Sequence, residues 1–369
     1  MSKAAELAAL IANVNKGSSL ANKNFIINGN MSVAQRGTSS TGIGASSGYF
    51  TTDRMQIVSE NTAGRLTMEQ VADGPDGFAN CTKLTCTTAD TSIASNEALI
   101  LNQNIEGQNL QSLKKGTSDA VPVTASFYVK ANASATYTIE LKSGDASTNR
   151  MNSHEFSVTT GWTRITKTFV GDTTQELDDD NNTSIQFNLW LHAGSDYTGG
   201  THTDNAWHTT NNQRVGDNQT SFFDSTSRTF FITGIQMEIG EKATEFEVEP
   251  YETTLLKASR YYHKIIFDNG SNRSFPSYNS STTQIIANYT YPVPMRSRPT
   301  AIETNGTATD YDICHTNQST NCSAVPTYNE ATIFGTSIVG ACSSGLTAGQ
   351  GSQLRLKNSG AYLAWSAEL

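Results

Sequence analysis

Aromatic and amide side chains alternate along one short segment of this chain, and their chemistry suits sugar recognition. Trp190 and His192 follow Gln186 and Asn188 at intervals of two residues. In a β-strand that spacing places the four side chains on one face. The C–H groups of a sugar ring can stack on an indole, while amide groups donate to and accept from its hydroxyls. We therefore expect Trp190 and His192 on the solvent side of a strand, as candidate glycan contacts.

The polar loop after this strand contains two more aromatic candidates, Tyr197 and Trp207. A competing interpretation buries Trp190 and Trp207 beneath the loop, which spans residues 195–214, or at a subunit contact. Tryptophan is highly buried on average in folded proteins. We therefore favour packing for both tryptophans and keep glycan contact by Trp190, His192, Tyr197 and Trp207 as the alternative.

Acidic and amide residues crowd into residues 178–182, with the sequence DDDNN, where they could ligate a cation. Calcium takes roughly six to eight oxygen ligands at about 2.3 to 2.6 Å, and one loop rarely supplies them all. The run is not an EF-hand loop, because Thr183 and Leu189 stand where such a loop needs Gly and a bidentate Glu. We predict a solvated turn, with a structural Ca²⁺ site at Asp178 and Asp180 as the alternative.

Two further patterns resemble reactive sites but lack the required context. Residues 44–48, GASSG, match the nucleophile-elbow pattern without a strand before them or a helix after them, and that context is what exposes the serine. His202, Asp204 and His208 contain metal-ligand atoms in a polar loop, at a spacing that indicates a metal site only weakly. The sequence therefore predicts a protein without enzymatic activity.

Short segments with period-two alternation predict strands for most of the chain. The clearest are residues 137–142, 185–192 and 231–239, and further candidates are residues 66–70, 81–85, 98–104, 123–130 and 162–170. Such alternation is typical of antiparallel sheets with one solvated face, and Gly, Asn and Asp turns separate the segments. We predict an all-β fold with an antiparallel jelly-roll β-sandwich over residues 24–250.

A second, smaller β domain is predicted over residues 265–369, after a linker helix at residues 251–264. Asp268-Asn269-Gly270 is a hairpin-turn sequence. Strands are expected at residues 284–291, 331–338, 354–357 and 363–369. No repeat of 20 to 50 residues is evident, so a fibrous β-solenoid is not expected.

The N-terminal segment, residues 1–23, contains a short helix over residues 2–15 with apolar side chains at heptad spacing. These side chains are Ala4, Leu7, Ile11 and Val14. About two heptads are too short to be stable alone, so the helix must dock on something. We favour a parallel bundle of copies or an attachment plug, and packing on its own domain is the alternative.

Composition restricts the partners of this protein. Charged residues make up only 16% of the chain, against roughly 25% in an ordinary soluble protein. The net charge of −9 and the absence of a basic run argue against nucleic acid as a partner. No stretch approaches the roughly 18 consecutive apolar residues that cross a bilayer, so we expect no membrane insertion.

The cysteines and the N-terminal sequence predict assembly in a reducing compartment. Five cysteines are an odd number without a disulfide framework. Cys81 and Cys86 are expected on one strand, facing opposite sides. Cys314 and Cys322 could meet across a loop, but we expect reduced thiols. The N-terminus lacks the basic and apolar regions of a secretory signal, so we expect assembly in a host cytoplasm and release by lysis.

Two stretches far apart in the chain resemble the opening and closing of one known β-sandwich module. The opening contains Asn28-Gly29, Gln35-Arg36-Gly37 and Asp53-Arg54, and the closing contains residues 232–240, Pro250-Tyr251 and Arg260-Tyr261-Tyr262. This order resembles a module of bacteriophage tail-fibre, appendage and other minor virion proteins. Residues 292–300, PVPMRSRPT, resemble part of the associated C-terminal domain. The chain departs from that family at Met55, where an aromatic residue is usual, and at Ala258-Ser259, where Cys-Gln is common.

The resemblance implies a galactose-binding-like jelly roll that assembles as a homotrimer in a virion. The expected function is a structural component of a tail fibre or similar appendage, attached through its N-terminus and contacting host-surface glycans. Its expected partners are other virion proteins and host polysaccharide. An ancillary carbohydrate-binding module is the alternative function. A polysaccharide depolymerase or esterase is a weaker one, since no motif supports it.

Overall fold

The computed structural model describes residues 2–15, 23–145, 148–267, 273–316 and 318–369. The chain divides into two units, Met1–Thr254 with Leu369, and Leu255–Glu368, which we call the first and second domains. The predicted hairpin turn at residues 268–270 lies outside the described residues. The predicted all-β fold class is confirmed, since both domains are built of antiparallel sheets.

The first domain is a jelly-roll sandwich of two six-stranded antiparallel sheets. Its described strands are β1 (Ser39–Ile43), β2 (Gly48–Tyr49), β3 (Gln56–Glu60), β4 (Arg65–Val71), β5 (Cys81–Thr88), β6 (Ala98–Glu106), β7 (Val123–Ala131), β8 (Ala135–Ser143), β9 (Arg150–Val158), β10 (Thr163–Phe169), β11 (Thr183–Ala193) and β12 (Thr229–Ile239). The first sheet has the order β1-β4-β5-β12-β7-β10, and the second sheet has the order β2-β3-β6-β11-β8-β9.

Alternating side chains explain how the two sheets enclose one core. Leu101, Ile139 and Leu189 of the second sheet are buried in the core, and their neighbours along each strand face the other side of the sheet. The Phe127 ring packs edge-on against Phe156, with ring centroids 5.2 Å apart and planes at 82°. Burying a large apolar side chain contributes about 1.5–3 kcal/mol, so this alternation supplies most of the driving force for sheet pairing. The segments predicted as strands at 66–70, 81–85, 98–104 and 123–130 lie within β4, β5, β6 and β7.

The opening and closing stretches of the sequence meet in the first domain. The backbone N–H of Ile235 donates to the carbonyl of Gly29 over 2.9 Å, and that of Phe25 donates to Met237 over 2.9 Å. Gly29 is required at this contact, because a Cβ there would lie 2.0 Å from the Ile235 carbonyl oxygen. The two stretches therefore form one structural unit.

Other residues of the opening stretch order the chain before β3. The Gln35 backbone N–H and side-chain Nε2 donate to the two carboxylate oxygens of Asp53 over 2.8 and 2.6 Å. Asn28 Nδ2 donates to the carbonyls of Val33 and Asp53 over 2.9 and 3.0 Å. Arg54 is buried and donates to the Asn104 carbonyl over 2.7 Å. These residues have structural roles, which agrees with a module whose ends are recognisable without any catalytic motif.

The second domain contains a three-stranded and a seven-stranded antiparallel sheet. Its described strands are β13 (Tyr262–Ile266), β14 (Arg273–Asn279), β15 (Gln284–Thr290), β16 (Glu303–Thr304), β17 (Tyr311–His315), β18 (Gln318–Asn321), β19 (Thr327–Ala331), β20 (Gly335–Ala341), β21 (Gly351–Leu356) and β22 (Tyr362–Ser366). The sheets have the orders β13-β22-β16 and β18-β17-β21-β14-β15-β20-β19. The single strand predicted at residues 331–338 is wrong, because a turn separates β19 from β20 there.

Aromatic rings form the centre of the second domain. Trp365 is fully buried and stacks on Tyr289, with centroids 5.3 Å apart and planes at 11°. The His263 ring is parallel to that of Tyr289, at 4°. Burial, reinforced by the charge of Arg273, lowers the pKa of His263 to about 4. His263 is therefore neutral at pH 7, which allows it to pack in this stack.

Three described α-helices accompany the strands: α1 (Lys3–Asn15), α2 (Ser195–Thr198) and α3 (Tyr251–Ser259). The linker helix predicted over residues 251–264 is too long, because the chain is a strand from Tyr262. There Ile265 pairs with Leu363 of β22, and this pairing overrides the helical pattern. None of the described helices combines the length and apolar character needed to cross a membrane.

Helix α1 exposes the apolar side chains whose spacing predicted it. Leu7 and Ile11 are 57% and 51% exposed, and Ala4 is exposed as well. The side chain of Val14 lies outside the described set. Leu7 and Ile11 therefore do not pack on their own domain, which was the alternative considered from the sequence.

Candidate functional site

Two polar rows cross the outer face of the second sheet. Asn102 of β6 lies opposite Asn188 of β11, which lies opposite Glu140 of β8. In the neighbouring row, Asn104 of β6 lies opposite Gln186 of β11. Side chains at directly opposite positions of antiparallel strands are close enough to interact. The register of three strands thus gathers residues that are far apart in sequence, and we call the four amides Asn102, Asn104, Gln186 and Asn188 the amide rows.

Hydrogen bonds hold the amide rows in place. Asn102 Nδ2 donates to Asn188 Oδ1 over 2.7 Å, and Asn188 Nδ2 donates to Glu140 Oε2 over 2.8 Å. Gln186 Nε2 donates to Asn104 Oδ1 over 3.0 Å. Asn102 Oδ1 is buried and has no hydrogen-bond partner among the described residues. An unpaired buried acceptor is costly, so this atom gains from a donor supplied by a ligand or by water.

A buried ion pair anchors the polar loop on this face. Arg214 Nε donates to Glu140 Oε1 over 2.7 Å, and Arg214 Nη2 donates to Glu140 Oε2 over 2.9 Å. Burial alone would raise the pKa of Glu140, but the Arg214 charge and its hydrogen bonds outweigh burial and hold that pKa below its usual value. Glu140 is therefore ionised at neutral pH and paired in two-pronged geometry, the arrangement in which Arg binds carboxylate most strongly.

Trp190 lies on the outer face of the sheet, as predicted, but it does not face solvent. Its side chain is 1% exposed, and its Nε1 donates to Glu140 Oε2 over 3.1 Å. The Tyr197 ring covers it at a centroid distance of 4.9 Å, and the Arg214 guanidinium lies 4.7 Å from its ring centroid. The packing of Trp190 beneath the loop, which the sequence favoured, agrees with this burial. The alternative of a solvent-facing Trp190 is wrong, because the loop folds over the strand. Tyr197, which is only partly buried, presents the aromatic surface here.

These elements enclose a cleft of about 160 Å³. Its floor is formed by three of the four amides, Asn102, Gln186 and Asn188. Trp190, Tyr197 and Arg214 form one wall. Lys142 and Glu60 also line it. Glu60 accepts a hydrogen bond from the Tyr197 hydroxyl over 2.8 Å. The cleft therefore combines fixed amides, the partly exposed ring of Tyr197 and side chains of opposite charge.

Lys142 is the second cation that lines the cleft, beside Arg214. Its side chain is half-buried, and it forms neither an ion pair nor a hydrogen bond with any described residue. Burial lowers the pKa of Lys142, and the charge of the nearby Arg214 lowers it further. The Glu140 and Glu60 carboxylates raise this pKa, but burial and Arg214 outweigh them, so the charge of the Lys142 ammonium is compensated only in part.

The structure places the other two candidate aromatic residues outside the cleft. His192 is fully buried, with Nε2 3.0 Å from Glu97 Oε2 and Nδ1 2.7 Å from Ser221 Oγ. Its predicted solvent exposure is wrong, because the chain around Ser221 covers this end of β11. Trp207 donates from Nε1 to the Val170 carbonyl over 2.7 Å, and its ring lies 5.2 Å from Lys115 Nζ. The structure thus brings together Trp190 and Tyr197 but neither His192 nor Trp207.

The polar loop also forms a serine–histidine–aspartate contact that the sequence analysis missed. Ser153 Oγ lies 2.9 Å from His202 Nε2, and His202 Nδ1 lies 3.6 Å from Asp204 Oδ1. The roles of a nucleophile, a base and an orienting acid are formally present. Ser153, however, is completely buried in the middle of β9, where a substrate cannot reach it. The contact fastens the loop to the sheet.

Asp178 and Asp180 lie in a turn whose carboxylates and carbonyls bond the protein itself. Asp180 Oδ1 accepts from the backbone of Asn182 over 2.8 Å, and the Asp178 carbonyl accepts from Gln111 Nε2 over 3.1 Å. Among the described residues, no group of three or more His, Cys, Asp or Glu is placed to hold a metal ion. The five cysteines are all free thiols.

Sequence reasoning missed Glu140, Arg214, Lys142 and Asn102 as parts of one site. A signal was present for two of them, because Glu140 and Lys142 are the polar members of the alternating segment 137–142. Their partners depend on the pairing of β8 with β11 and of β11 with β6, which alternation does not specify.

Comparisons with known proteins give weak structural likenesses. No protein-family model matches the sequence, and no curated protein matches it. A CBM4 structure shares 15% identity, with 58% of this chain and 98% of that chain covered and a TM-score of 0.30. A family 11 carbohydrate-binding module from Clostridium thermocellum, solved with a β-1,3-1,4-mixed-linked tetrasaccharide, shares 12% identity over 56% of this chain and 98% of its own, at a TM-score of 0.28.

A phage protein is also among the similar structures. The enzymatically active domain of tailspike protein 4 from bacteriophage CBA120 shares 10% identity, with 59% of this chain and 21% of that chain covered and a TM-score of 0.31. Likenesses of this size carry no argument about activity. The function of this chain must therefore be argued from its own residues.

Proposed function

We propose that this protein is a non-enzymatic structural component of a phage appendage that binds polysaccharide in the cleft over the amide rows. The observation that supports the binding role is a floor of three fixed amides, Asn102, Gln186 and Asn188, beside the Tyr197 ring. Among the described residues, the Asn102 Oδ1 acceptor has no partner. Amides bond hydroxyls in both directions, which is what a sugar ring needs. The partly exposed Tyr197 supplies the apolar surface on which the C–H face of a sugar can stack.

The amide side chains are preorganised, which distinguishes them from polar side chains that are merely exposed on a surface. The amide side chains are held by hydrogen bonds of 2.7 to 3.0 Å, so a ligand would not have to order them. Immobilising a free side chain costs about 0.5–1.5 kcal/mol, and that cost is avoided here. The proposal assigns no catalytic residue: the Glu140 carboxylate is held by Arg214, and the Ser153 hydroxyl is buried.

Replacement of Tyr197 by alanine is expected to weaken polysaccharide binding by about fivefold, since stacking contributes on the order of 1 kcal/mol. Gln186→Ala should weaken binding as well, through loss of a floor amide. Affinity electrophoresis of the full chain through gels containing bacterial polysaccharides measures the effect. Tyr278→Ala, which removes a 48% exposed tyrosine of the second domain, is the matched control. Equal retardation of all four proteins in every gel contradicts the proposal.

The proposed structural role rests on helix α1 and on the resemblance of the opening and closing stretches to virion proteins. Leu7 and Ile11 expose apolar surface at heptad spacing, and such a stripe is stabilised by parallel copies of itself. We propose that three copies associate through α1 and that α1 attaches them to neighbouring virion proteins.

The double change Leu7→Glu and Ile11→Glu is expected to convert a trimer into a monomer, because it places charges on the apolar stripe. Size-exclusion light scattering at micromolar concentration measures the mass. The thermal unfolding of the β domains should not change, since neither side chain packs on them. If the wild-type protein is a monomer, or if the double variant is still a trimer, α1 does not mediate association.

A further inference from the structure

One of the charged side chains that line the cleft is not bonded to an opposite charge of any described residue. Glu140 and Arg214 neutralise each other through two hydrogen bonds. Glu60 lies at the Tyr197 side of the cleft and accepts the tyrosine hydroxyl. Lys142 remains with no described group bonded to it, beside Arg214 and facing the open space. The nearby carboxylates of Glu140 and Glu60 compensate its charge only in part. A half-buried cation in such a position becomes more favourable when an anion enters.

We infer that the ligand of the cleft is an acidic polysaccharide, with the anionic group of one sugar unit seated against the Lys142 ammonium. This inference rests on the proposed binding function and names its ligand class. Lys142 lies opposite Gln186 across the paired strands β8 and β11, so the ammonium stands at the edge of the amide rows. One sugar unit can therefore place its hydroxyls on the amides and its anionic group on Lys142.

Glu60 determines which way the acidic unit is oriented. Its exposed carboxylate would repel an anion at the Tyr197 side of the cleft. Lys142, which lies in the row of Gln186 at the opposite end of the cleft from Glu60, would attract it there. The anionic group therefore points away from Glu60, and the apolar face of the unit, or of its neighbour, is left for Tyr197.

The net charge of −9 does not oppose this contact at physiological salt. The Debye length is about 8 Å at 0.15 M ionic strength, so charges elsewhere on the surface are largely screened. A partly buried pair in contact is screened much less. Binding should weaken with salt only modestly, because it depends on one short-range pair and not on a broad basic surface.

The test compares polymers that differ only in charge. Polygalacturonate, alginate and hyaluronan are each offered to the full chain beside their carboxyl-reduced forms, and dextran sulfate is offered beside dextran. The wild-type protein is expected to bind at least one acidic polymer tenfold or more tightly than its neutral counterpart. Lys142→Gln should abolish that preference and Lys142→Arg should retain it. Lys242→Gln, which removes an exposed lysine outside the cleft, should leave it unchanged.

Each other outcome is decisive. Equal binding of charged and neutral forms, or an acidic preference that survives Lys142→Gln, overturns the acidic ligand class. In that case, loss of binding in Tyr197→Ala would still support a sugar-binding cleft. Binding to no polymer, charged or neutral, overturns both the ligand class and the proposed binding function. A preference for dextran sulfate alone identifies sulfate, and not carboxylate, as the anion.

Discussion

Replacing Arg214 with methionine is expected to lower the free energy of unfolding of the first domain by about 3–5 kcal/mol, the usual cost of leaving one partner of a buried ion pair alone. Glu140 has no exposed side-chain surface, and both of its oxygens bond Arg214. Without the guanidinium, the carboxylate must either stay charged in a dry site or take up a proton. Urea unfolding of the full chain, followed through the first-domain transition, measures the loss.

The double variant Arg214→Met and Glu140→Met is the control for this prediction. It removes both charges, so it should recover much of the stability that the single change loses. If the double variant is less stable than the single one by a further 3 kcal/mol or more, packing and not charge explains the effect, since large-to-small core changes carry costs of that order.

The contribution of Glu140 to stability should depend on pH with opposite sign in the wild type and in Arg214→Met. Arg214 holds the folded pKa of Glu140 below its usual value in the wild type. The pair therefore contributes stability above the unfolded pKa of about 4.3, and the contribution is lost as pH falls through the lowered folded pKa. In Arg214→Met the unpaired carboxyl gains a proton readily, so its stability deficit should shrink between pH 7 and pH 4. A deficit that is constant over this range would contradict the explanation.

Gly29→Ala is expected to destabilise the first domain by about 3 kcal/mol, through overpacking and loss of a backbone hydrogen bond. The new Cβ would lie 2.0 Å from the Ile235 carbonyl oxygen, which is backbone and cannot rotate away. Relieving that clash separates the opening stretch from β12 and breaks the 2.9 Å bond between Ile235 N–H and the Gly29 carbonyl. Thermal unfolding monitored by tryptophan fluorescence measures the effect.

Gly161→Ala is the matched control for Gly29→Ala. A Cβ at residue 161 meets nothing within 4 Å, so the change should alter stability by no more than about 0.5 kcal/mol. Equal unfolding temperatures for the two variants would mean that the contact between the opening stretch and β12 does not support the fold. A selective loss at Gly29 would show that the opening stretch and β12 stabilise each other in the first domain.

The strands of the first domain could be predicted because each carries its own signal. Residues 137–142 alternate between core and polar side chains, and β8 contains them all. The helix predicted at residues 251–264 was wrong in its second half for the opposite reason. Tyr262 to Ile266 pair with a strand almost 100 residues later, and no local pattern reports such a partner.

Trp190 illustrates the same division at the site. Its position on the outer face follows from period-two alternation with Leu189 and Leu191, which are in the core. Its burial follows from Tyr197 and Arg214, which the loop brings over the strand. A loop has no periodicity from which its path can be deduced. The side chains that cover Trp190 could therefore not be predicted, although its face and its burial could.

By itself, the sequence determined the all-β class, most strand positions and the outward face of Gln186 and Asn188, because these depend on neighbours along the chain. Only the tertiary structure decided that Asn102, Glu140, Asn188 and Arg214 form one network beside an unpaired Lys142. Strand register and loop path depend on contacts between distant residues. The energies of those contacts are summed over the whole fold, and no short segment contains them.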